Sequence, residues 1–141
     1  MESEGYIEPV HKKHPHPHYY GDTVRQLFIG GGLVMLLALP LFTELFPLVA
    51  LYPIFTAIVI GLAAGLVNPI QRWTHYINVF LALVATMLLE WYALTIYQSV
   101  HFQESHGTIL FWLSHILALN FFIAFYFSVK TVRGMFVRSN F

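Results

Sequence analysis

Four long apolar runs, parted by short polar breaks, set the pattern of this chain. They cover residues 26–46, 48–67, 77–98 and 108–129. About 20 apolar residues in an α-helix cross a hydrocarbon core, so each run predicts one membrane span. Asp22 or Thr23 is placed to cap the first by accepting a backbone N–H, and Pro40 would kink it. Pro47 closes a tight hairpin into the second run, and Asn68-Pro69 ends that run, since a residue before proline avoids the helical region. The fold class that follows is all-α: an antiparallel four-helix transmembrane bundle at residues 23–130, between a polar segment at 1–22 and a short basic one at 131–141.

Charge changes the picture by giving the bundle an orientation. Lys12, Lys13 and Arg25 precede the first span, Arg72 lies between the second and third, and Lys130, Arg133 and Arg138 follow the fourth. In a four-span topology all seven fall on one side, and the connections near Pro47 and at 99–107 carry none. Cytoplasmic loops collect Lys and Arg, so both termini are expected in the cytoplasm. A three-span alternative, with the first two runs as a re-entrant hairpin, would scatter these cations over both sides. The first run begins only after Arg25 and is about 20 residues long, longer than the apolar region of about 7–15 residues in a signal peptide, so it reads as a retained span.

Composition agrees. Only 10% of residues are charged and 57% are hydrophobic, whereas soluble domains carry roughly 25% charge. The absence of cysteine excludes a disulfide framework, thiolate metal sites and a cysteine nucleophile. A formal net charge of zero gives no field for nucleic acid.

The third run contains the one residue that a span should not tolerate: Glu90, near its middle. An ionisable group at that depth costs about 2.5–3.5 kcal/mol on insertion scales and marks a functional site by default. At about 1.5 Å per residue, Glu90 lies roughly 20 Å from the cytoplasmic end of its span. Counting back from Val129, His115 lies roughly 21 Å from the same face. Thr86 and Asn120 are level with each other, about one turn deeper from the outer side. Helical spacing aligns Thr86, Glu90 and Ala93 or Tyr97 on one stripe, and Thr108, Trp112, His115 and Leu119 on another. The expectation is a polar site of Glu90, His115, Thr86 and Asn120 inside the bundle, with Glu90 paired to His115. Such a pair serves either as a bond fixing helix register or as a proton- or cation-responsive site.

Glycine supplies the packing signal. Gly30, Gly31 and Gly32 lie early in the first span, and Gly61 and Gly65 have the small-xxx-small spacing that lets helices approach closely. In an antiparallel hairpin these two groups fall at similar depth, which predicts close packing of the first span on the second.

The remaining chemistry is sparse. His11, His14, His16 and His18 form an H-x-x-H-x-H-x-H tract among prolines and lysines, a metal-binding composition whose plainer reading is a solvated polar tail. Haem held by two histidines needs them at one depth; His75 belongs at the inner interface and His115 in the outer half, so no cofactor is expected. Phosphate loops, nucleophile elbows, zinc-protease motifs and dinucleotide fingerprints are absent, which argues against an enzyme.

The segments YYGDTVRQLFIGGG, GLVNPIQRW, Glu90-Trp91-Tyr92 and FYFSVKTVRG resemble small four-span membrane proteins encoded in bacterial genomes. That resemblance implies a multi-pass protein of the bacterial inner membrane and brings no activity with it. Two functions fit: a structural or accessory component that associates with itself or with a larger membrane complex, and an oligomeric proton or cation channel or transporter built on Glu90 and His115. The expected partners are the lipid bilayer and copies of the chain or a larger complex, with no nucleic acid.

Overall fold

A computed structural model describes residues 20–45, 56, 59–64, 71–99 and 103–139. Within them the chain is helical, with four elements: α1 (Gly21–Leu45), α2 (described over 59–64), α3 (Arg72–Gln98) and α4 (Ser105–Ser139). Three of these, α1, α3 and α4, are long and apolar enough to cross a membrane. Of the second expected span only the α2 residues and Thr56 are described, so its ends, the hairpin at Pro47 and the break at Asn68-Pro69 lie outside the described residues.

The helices outrun the apolar stretches that predicted them. α3 begins at Arg72 rather than near residue 77, and α4 runs from Ser105 through Ser139 rather than over 108–129, taking in most of the expected basic tail. Hydropathy marks only the part suited to hydrocarbon, while intrahelical hydrogen bonding continues past it. At about 1.5 Å per residue α4 is roughly 52 Å long, against a core of about 30 Å. α1 starts at Gly21, so Asp22 sits inside the first turn, where a carboxylate complements the helix dipole. Val24 N–H donates to the Tyr20 carbonyl at 3.1 Å, the first intrahelical bond, so the helix starts just ahead of Asp22 and Thr23.

Packing follows a 3.5-residue repeat. Val24, Phe28, Gly31, Met35 and Ala38 are buried along α1; Asn78, Ala82, Ala85, Leu89, Ala93 and Ile96 along α3; Leu110, Ser114, Leu117, Phe121, Ala124, Ser128 and Thr131 along α4. Alternating steps of three and four keep one stripe facing the neighbouring helix, the geometry of coiled-coil seams. Half of these residues are small, among them Ala82, Ala85 and Ala93 on α3 and Ser114, Ala124 and Ser128 on α4, which lets backbones approach. The buried seam hydroxyls bond inward: Ser114 Oγ donates to Leu110 O, Ser128 Oγ to Ala124 O and Thr131 Oγ1 to Phe127 O, at 2.8–2.9 Å. None of these three asks anything of the lipid.

α4 is the hub. On α3, Tyr97 meets Phe111, Glu90 meets His115 and Tyr76 meets Phe136, so contacts that descend α3 climb α4. On α1, Tyr20 meets Phe127, Phe28 meets Phe121, and Ala38 shares a cluster with Leu110. Ile60 and Ala64 of α2 complete the main core. Only about a third of the residues in the apolar stretches of α1, α3 and α4 are buried; many of the others, such as Leu37, Trp91 and Ile116, are exposed, a surface suited to lipid.

Candidate functional site

Glu90 and His115 each sit one residue off a seam. Leu89 and Ser114 are buried between α3 and α4; the next residues along, at about 100° around each helix, emerge together on one flank. His115 Nε2 lies 3.6 Å from Glu90 Oε2. This is within ion-pair range and beyond an ordinary hydrogen bond. The two side chains meet as the depth comparison predicts. They do not meet inside the bundle: His115 is 38% exposed and Glu90 46% exposed.

The pair opens onto a groove of about 440 Å³ along the α3–α4 flank. Thr86 lies one turn before Glu90 in the same groove, and Trp112 and Leu119 flank His115 at the spacing of its helical stripe. Ile116 and Phe122 complete an otherwise apolar wall. Thr86 is turned back on its own helix, with Oγ1 donating to Ala82 O at 2.8 Å.

Imidazole geometry fixes where protons sit. His115 Nδ1 lies 3.3 Å from Phe111 O. A carbonyl only accepts, so Nδ1 carries a proton. Nε2 is left facing Glu90 Oε2 across 3.6 Å, too far for a hydrogen bond between the two side chains. Phe111 packs on the imidazole at 4.6 Å between ring centroids and Trp112 at 6.5 Å, holding it at the groove wall.

Asn120 leaves this layer. It points to α1, where Nδ2 donates to Leu27 O at 2.9 Å. The sequence placed it at the right depth, but depth alone does not say which neighbour a residue faces. Gly31 explains the contact. A Cβ there would lie 2.6 Å from Phe121 Cζ and 2.9 Å from Asn120 Nδ2, so only glycine lets α4 come this close. The other glycines are looser: Cβ atoms at Gly30 and Gly61 would meet nothing within 4 Å, and one at Gly32 would rest 3.8 Å from Ile60. Gly31 thus brings α1 close to α4, while Gly32 faces Ile60 of the second expected span. Gly65 and the tract His11, His14, His16 and His18 lie outside the described residues. Among the described residues no group of three or more His, Cys, Asp or Glu gathers to hold a metal.

Comparison with protein families, curated proteins and solved structures finds no match to this chain. Function has to be argued from the site.

Sequence reasoning overlooked two features. Thr74, His75 and Asn78 are buried at the start of α3; their i, i+1, i+4 spacing is the available signal. Tyr20 closes the bundle at the matching end of α4: its ring stacks on Phe127 at 5.2 Å, Lys130 Nζ lies 4.7 Å above it, and its N–H donates to Thr131 Oγ1 at 3.3 Å.

Proposed function

We propose that this chain is a small, non-enzymatic, multi-pass protein of the bacterial inner membrane, an antiparallel bundle of four spans with both termini cytoplasmic, and that it serves as a self-associating or accessory membrane component. One observation carries the reading: a Glu–His pair at mid-helix opens outward from an otherwise apolar surface. Hydrocarbon offers such a pair nothing, whereas a neighbouring protein does. The one-sided distribution of Lys and Arg supports the orientation. The test is the mass of the protein reconstituted in lipid nanodiscs, with Glu90→Gln beside it. Self-association predicts particles holding more than one chain, reduced in the variant; single chains in both would overturn it.

A second reading, an oligomeric proton or cation pathway, has its own support: Thr86, Glu90 and His115 line one groove, and a carboxyl beside an imidazole is a residue pair that serves in proton relays. Proteoliposomes with an internal pH dye test it. Proton flux lost in Glu90→Gln would favour this reading, and silent liposomes would end it.

A further inference from the structure

The outward-facing apolar residues of α1, α3 and α4 need no partner, because lipid is as apolar as they are. The groove between α3 and α4 is different. It holds a carboxyl and an imidazole side by side, each with more than a third of its side chain uncovered, and the imidazole is already tied at Nδ1 to its own backbone. The remaining capacity lies on the groove side: at 3.6 Å neither Glu90 Oε2 nor His115 Nε2 is hydrogen-bonded to the other, so a carboxyl and an imidazole nitrogen are both presented there.

A surface carrying both halves of a complementary pair at one level is complementary to itself. Copies inserted in the same orientation are related by an axis along the membrane normal, so equal residues stay at equal depth. A twofold about that axis brings residue i against j and j against i. Glu90 then meets His115 of the partner subunit, while His115 meets the partner's Glu90. The two pairs run in opposite directions across the axis, and each closes the other away from lipid. Trp112 and Leu119, which flank the pair along the groove, supply the apolar contact around it.

We propose that the α3–α4 groove is the surface on which a second copy of this chain docks, with the Glu90–His115 pairs of the two copies forming its polar centre. This rests on the self-association reading above and adds the face and the pairing.

The chain contains no cysteine, so single substitutions report contact cleanly. Leu119→Cys, in the groove, should form a disulfide dimer when membranes are oxidised with copper phenanthroline; Leu37→Cys, on α1 and 81% exposed, should not. A dimer through Leu37 and none through Leu119 would overturn this surface and leave self-association standing. No dimer at any position, with single chains in nanodiscs, would remove both.

A mixing experiment isolates the contact between chains. Glu90→His gives a chain with two imidazoles and His115→Glu one with two carboxylates. Each alone should dimerise about tenfold less than the native chain, since a twofold interface loses the contact twice. Co-expressed with different tags, the two should copurify at the native level, because every imidazole then faces a carboxylate across the axis. Native dimerisation by either variant alone, or no recovery on mixing, would refute the pairing; the cysteine result, read on an otherwise native chain, stands whether or not these variants fold.

Discussion

Replacing Gly31 by alanine is the sharpest perturbation of the packing, because its neighbour Gly30 provides the control. The added Cβ would stand 2.6 Å from Phe121 Cζ, 3.1 Å from Cε2 and 2.9 Å from Asn120 Nδ2. Carbon atoms rest at about 3.5–4.0 Å, so α4 must retreat by about 1 Å or Phe121 must turn. Phe121 is fully buried and packs on Phe28 with ring centroids 5.9 Å apart, which leaves retreat. That movement also stretches the 2.9 Å bond from Asn120 to Leu27 O beyond hydrogen-bond range. Overpacking costs about 1–3 kcal/mol, and an interhelical bond in a membrane adds about 0.6 kcal/mol. Alanine returns about 0.5–1 kcal/mol through its helix preference over glycine. Gly31→Ala should therefore lose about 0.5–3 kcal/mol, whereas Gly30→Ala, facing open space, should gain up to about 1 kcal/mol. Reversible unfolding by SDS titration in mixed micelles, followed by helical circular dichroism, measures both. Equal stability of the two variants, or the reverse order, would refute the close approach of α1 and α4.

Asn120→Ala should cost about 0.6 kcal/mol, and because Asn120 and Gly31 share one contact, its effect should shrink in a Gly31→Ala background. Tyr20→Ala should cost about 0.5–1.5 kcal/mol through the lost ring contact with Phe127, read in the same titration. Thr86→Val removes a hydroxyl bonded only within its own helix among the described contacts, so stability should stay within about 0.5 kcal/mol; a fall in proton flux in that variant would argue for the pathway reading.

The helices, and the matching level of Glu90 and His115 along α3 and α4, were legible in the sequence because long apolar runs are strong signals and a rise of about 1.5 Å per residue turns position into level. Lateral placement was not. Hydropathy treats lipid and protein interior alike, so nothing in the apolar content of α3 separates Leu89, buried, from Leu88, exposed. The 3.5-residue stripe of small residues does separate them: Ala82, Ala85 and Ala93 mark the seam, and Glu90 falls beside it. Reading that stripe puts Glu90 and His115 on a flank, where depth matching alone puts them inside. The same limit applies to Asn120, level with Thr86 yet turned to Leu27. Gly31 was visible as a packing glycine, but three adjacent glycines do not reveal which one a helix will approach.

The account rests on Glu90 and His115 acting as one unit at mid-helix. A double-mutant cycle of Glu90→Gln and His115→Ala, by SDS unfolding, tests this most directly. Coupling of about 0.6 kcal/mol or more, the range of interhelical polar contacts, is the predicted result; additive losses would contradict it.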